Sequence, residues 1–93
     1  MSGAPDWFPS NVREAHKHSS NHREEVLSST VAGCFYCCSV FDPWLITDWV
    51  DDDASDVGQT ALCPKCGIDS VIGDRSGVEI TVAFMTTMKR YWF

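Results

Sequence analysis

The chain has 93 residues, a formal net charge of −6 and an apolar share of 44%. That size fits one domain with a thin stability margin, the kind of chain that adds a metal or disulfide staple to a small core. The apolar and aromatic content excludes a disordered chain, and no apolar run approaches the ~20 residues of a membrane-spanning helix.

Residues 1–10 read as a tail, in which Trp7 and Phe8 are rings that could dock on the domain or on a partner. Residues 11–93 read as a single domain. Two short helical segments are expected between 11 and 30. Ser10 is a cap for the first, and Asn21 with Glu24 three positions later is a cap for the second. Val26 and Leu27 form its apolar edge.

The stretch GCFYCC carries Cys34, Cys37 and Cys38. It is followed by FDPWLITDWV, which reads as a further helix over 43–50. Asp42 suits the cap, Pro43 the first helical position, and Phe41 and Ile46 the staple. Ile46, Trp49 and Val50 then fall on one face. Trp49 reads as core, and Trp44 with Trp49 is also a candidate dimer surface. An acidic loop follows over 51–59.

TALC and DSVIGD flank the turn PKCGI and predict a small β-hairpin. The last segment predicts a helix capped by Thr81, with Ile80, Ala83, Phe84, Met88, Tyr91 and Trp92 along its buried stripe and Ile80–Met85 as the staple.

Cys34-x2-Cys37 and Cys63-x2-Cys66 have the spacing of a tetrahedral Zn(Cys)₄ site. Two intervening residues let one tight turn aim both sulfurs at one ion, and a second turn completes the set. Cys38 is the spare thiol, because adjacent residues rarely ligate one ion. Four protein ligands leave no open position, so the Zn²⁺ is expected to be structural. Four thiolates also fit a rubredoxin-like iron centre. A thioredoxin-like redox pair would need a longer βαβ chain. The knuckle spacing predicts a small α+β domain with zinc-ribbon-like hairpins, or a treble-clef variant, and about three short helices.

His16, His18 and His22 lie within seven residues, and His18 and His22 have the i, i+4 spacing of a chelating pair. These histidines, or Asp69 and Asp74, supply the alternative reading, a metal-assisted hydrolase or HNH-like nuclease. A solvated polar face is the plainer account of the histidines, and no catalytic set is assigned.

Between Cys34 and Asp74 there are eight aspartates and one base, Lys65. That field disfavours nucleic acid and favours a protein partner with a basic patch. No basic-then-apolar leader opens the chain, so a cytoplasmic, reducing compartment is expected, where paired cysteines serve metals before disulfides.

Taken together, NHREEV, GCFYC, TALCPKCGIDSVIGD and KRYWF resemble a family of short bacterial and phage proteins described only as cytoplasmic or zinc-binding proteins. The resemblance spans roughly residues 16–93. It implies a cytoplasmic zinc-ribbon-like domain ligated by Cys34, Cys37, Cys63 and Cys66, with Asn21–His22 and Asp69–Ser70 as motif positions of unknown role. It implies no activity.

Overall fold

Ala32, Gly33 and Cys34 form the central strand of the molecule and are buried on both sides. The computed structural model describes residues 9–93. The expected tail, including Trp7 and Phe8, lies outside the described residues except for Pro9 and Ser10.

The chain runs through helices α1 (Ser10–His16) and α2 (Arg23–Leu27), strands β1 (Ala32–Cys34) and β2 (Val40–Phe41), and a 3₁₀ turn over Pro43–Leu45. Strands β3 (Trp49–Asp52), β4 (Gly58–Ala61) and β5 (Val71–Gly73) follow, then a 3₁₀ turn over Asp74–Ser76 and helix α3 (Val82–Trp92). One antiparallel sheet has the order β2-β1-β5, and the second is the hairpin β3-β4.

The first sheet divides the apolar residues into two cores. Gly33 pairs with Ile72, while Ala32 pairs with Gly73 and Cys34 with Val71. Opposed residues share a face and successive ones alternate. Ile72 joins Val12 and Ala15 of α1, Phe35, Ile80, and Met85 and Met88 of α3. Ala32, Cys34 and Val71 join Val26 of α2, Phe41, Ile46, Ala61 and Cys63. Gly33 is small because α3 sits directly on it: a Cβ there would lie 2.8 Å from Met85 Sδ and 2.9 Å from Ile80 Cγ2.

The terminal helix follows the expected cap, with the Thr81 hydroxyl accepting from the Phe84 N–H at 3.0 Å. Its buried residues are Met85 and Met88, whereas Ala83 of the expected stripe faces solvent. The other caps shift by one position: α1 already includes Ser10, and His22 precedes α2. Leu27, expected at the apolar edge, is exposed.

Two expectations fail. The helix over 43–50 is only a turn. Asp42 caps it as expected, accepting from the Trp44 N–H at 2.9 Å. The backbone becomes extended at Ile46, and Trp49–Asp52 pairs as a strand. Ile46, Thr47, Trp49 and Val50 are β-branched or aromatic, side chains that suit a pleated surface. Val50 is exposed, where a helical face would have buried it. The hairpin across PKCGI does not form either. Its two flanks enter different sheets, β4 pairing with β3 and β5 with β1. This divergence carries the second CxxC turn across to the first.

Met85 is fully buried against the glycine of the central strand. Met85→Ala is expected to lower unfolding free energy by about 2–5 kcal/mol, the range for a large-to-alanine change in a packed core. Urea denaturation checks it, and a loss below about 1 kcal/mol would contradict this packing.

Candidate metal centre

Two turns of near-identical construction hold the cysteines. In the first, the Cys34 N–H donates to the Ser39 carbonyl at 2.9 Å, and the Cys38 N–H donates to the Cys34 carbonyl at 2.8 Å. The Tyr36 N–H points at Cys34 Sγ from 3.3 Å. In the second, the Cys63 N–H donates to the Ile68 carbonyl and the Gly67 N–H to the Cys63 carbonyl, both at 2.9 Å. The Lys65 N–H points at Cys63 Sγ from 3.3 Å. The same three contacts recur at the same offsets. Amides directed at sulfur favour its ionised form.

The fourth residue after the first cysteine is left-handed in both turns, with φ 64° at Cys38 and 80° at Gly67. Cys38 therefore stands where the other turn has glycine. It packs against the α1–α3 core.

The ligating atoms of Cys34, Cys37, Cys63 and Cys66 all lie within 4.8 Å of one another. Across the two turns, Cys34 Sγ is 3.7 Å from Cys66 Sγ, and Cys37 Sγ is 3.7 Å from Cys63 Sγ. A tetrahedron with arms of about 2.3 Å has edges of about 3.8 Å, which the two cross-turn pairs match, and the four sulfurs together are close enough to hold one metal ion. No disulfide links them.

Two serines that spacing alone did not select complete the surroundings. Ser70 Oγ lies 3.0 Å from Cys34 Sγ, and Ser39 Oγ lies 3.2 Å from Cys37 Sγ. Ser70 is buried and Asp69 exposed. Hydroxyls at that range support a ligand in its charged form. Burial pushes the Cys34 thiol up and drives Cys66 up to about 12. At Cys37 burial also raises the pKa, but the Ser39 hydroxyl and backbone outweigh it and bring the thiol to about 7. Four sulfurs this close cannot all ionise unless a cation offsets their charge.

The histidines diverge. His16 stacks on Trp92 at a centroid distance of 3.8 Å. His18 Nδ1 pairs with the Glu25 carboxylate at 2.9 and 3.1 Å. His22 is buried, and both of its ring nitrogens are used. Nδ1 donates to the His18 carbonyl, and Nε2 accepts from the Ala61 N–H at 3.1 Å. His18 and His22 line a polar cleft of about 390 Å³ with Lys17, Asn21, Arg23 and Glu25, and neither Asp69 nor Asp74 reaches it. Asp74 instead accepts from the Thr30 N–H at 2.9 Å. Among the described residues, the four cysteines are the one His/Cys/Asp/Glu group close enough to hold a metal ion.

No helix among the described residues is long and apolar enough to cross a membrane. No protein-family model matches the chain, and no curated protein or solved structure matches it either.

Burial lowers the proton affinity of His22 and of His16, with the His18 carbonyl and Glu25 opposing the effect at His22. The unfolded chain then takes up these protons first as pH falls below about 6.5. Above that value the two groups leave stability unchanged, and below it they erode stability. Titration of the imidazole Hε1 resonances is expected to place His22 below about 6.5 in its Nδ1–H form. A midpoint above that value contradicts the buried acceptor role.

Proposed function

We propose that the chain is a zinc-ribbon-like module in which Cys34, Cys37, Cys63 and Cys66 hold one structural Zn²⁺, and whose role is to bind a protein partner. One observation carries the metal reading: two turns with the same hydrogen-bond pattern bring four sulfurs within 4.8 Å of one another, with a 3.7 Å approach between the turns at two pairs. Bound zinc would supply positive charge and a fixed geometry. With four thiolates it has no position left for substrate. The reading of the fold as ribbon-like is supported by the placement of the first turn on the β1–β2 hairpin and by β5, which leaves the second turn to pair with β1. Zinc is the default metal for four thiolates, with iron as the chemical rival. The acidic stretch between the turns and the apolar side chains exposed on it support the partner.

The hydrolase or nuclease alternative has less to stand on. His16 leaves the other two to stack on Trp92, and the cleft that His18 and His22 line lacks the two aspartates.

Elemental analysis of protein purified without added metal is expected to give one zinc per chain. Cys66→Ser is expected to lose that zinc and to melt at least about 10 °C lower, the shift for a loss of about 2 kcal/mol in a domain of this size. Cys38→Gly should keep stoichiometric zinc, because glycine suits the left-handed position. Iron in place of zinc, or loss of metal from the Cys38 variant alone, would overturn the assignment.

A further inference from the structure

We propose that Trp44, Leu45 and the carboxylates around them form the docking site for a basic segment, rich in lysine or arginine, of a partner protein. The proposal rests on the reading of the chain as a binding module and names the chemistry of what it binds.

Trp44 is 80% exposed and Leu45 50%. Single exposed apolar residues are ordinary on a protein surface. Here, however, the backbone beneath them is fixed. Asp42 accepts from the Trp44 N–H through its side chain and from the Leu45 N–H through its carbonyl. The Ile46 N–H donates to Pro43 at 3.1 Å, and Phe41, Pro43 and Ile46 are all buried. An indole held out on a rigid turn leaves little main-chain order to be imposed when a partner binds.

Charge selects the partner. From Glu24 to Pro64 the sequence has no lysine or arginine and eight acidic residues. Asp42 and Asp48 flank the exposed pair in sequence and are themselves exposed. A cation over an indole face, with carboxylates beside it, is a favourable arrangement for an ammonium or guanidinium group. The fold already uses that pairing internally, with Arg23 4.7 Å above the ring of Trp49. A four-thiolate zinc centre adds negative charge of the same sign. Nucleic acid and a second copy presenting the same face would both meet repulsion.

The test uses the full zinc-loaded chain and a short synthetic peptide of lysine, arginine and leucine, with a glutamate-for-lysine/arginine version as control. Titration followed by ¹H–¹⁵N correlation spectra is expected to shift resonances between Asp42 and Val50, including the Trp44 indole N–H. Trp44→Ala should weaken binding about tenfold or more. Asp42→Asn with Asp48→Asn should weaken it and flatten its dependence on salt, and Asn retains the cap. Shifts confined to another surface, equal binding by Trp44→Ala, binding of a DNA duplex in preference to the peptide, or a dimer in sedimentation that Trp44→Ala dissociates would each overturn the proposal. Zinc is assayed on the same samples. Absent zinc then reports failure of the metal reading, whereas a zinc-loaded, folded chain that ignores the peptide reports failure of the docking site alone.

Discussion

The two sheets of this fold meet where four sulfurs approach one another from two separate turns. Cys34 and Cys37 close the β1–β2 hairpin, while Cys63 and Cys66 connect the second sheet to the first. Cys34 and Cys63 also sit within one of the two apolar cores. The sulfur cluster is therefore continuous with hydrophobic packing. Short strands of two to four residues contribute few ladder hydrogen bonds. A chain with so little regular structure gains most from a constraint that acts between segments far apart in sequence.

The parts of this arrangement that were legible in the sequence are those set by local chemistry. The two CxxC pairs announce themselves because the turn between ligands is only two residues long. Thr81 and Asp42 act as caps because a short oxygen-bearing side chain before a turn does so wherever it occurs. Spacing sets Cys38 apart from the four cysteines that cluster, and in the fold it takes the left-handed position that glycine holds in the other turn.

What sequence reasoning misread depends on tertiary partners. Ile46 and Trp49 are at least partly buried in the structure and would be on a helix face as well, so their spacing does not separate helix from strand. β1 shows no alternation because both of its faces are covered. PKCGI reads as the tip of a hairpin because a tight turn between apolar runs usually is one. Only the pairing of β5 with β1 reveals that the runs separate. The three histidines are neighbours in sequence, but the turn between α1 and α2 sends His16 to the aromatic end of α3 and His22 to the second sheet.

That second destination explains how the acidic hairpin is held. The His22 N–H donates to the Gln59 carbonyl at 2.7 Å, and its ring accepts from Ala61. The Asn21 N–H donates to the Thr60 hydroxyl, which donates in turn to Asp51. Arg23 reaches the Gly58 carbonyl at 2.9 Å and covers Trp49. Three consecutive residues ahead of and entering α2 thus grip every residue of β4, whose far end runs straight into Cys63 through Leu62. Asn21 adopts φ 50° to turn into this contact, a conformation asparagine tolerates better than most residues. Strand β4 is consequently held along its length by side-chain, backbone and imidazole hydrogen bonds and leads at its far end into the sulfur cluster. The histidine most suggestive of chemistry in the sequence is, in the fold, a buried connector whose two nitrogens are both occupied. Its polarity is needed because it satisfies a backbone carbonyl and a backbone N–H away from water.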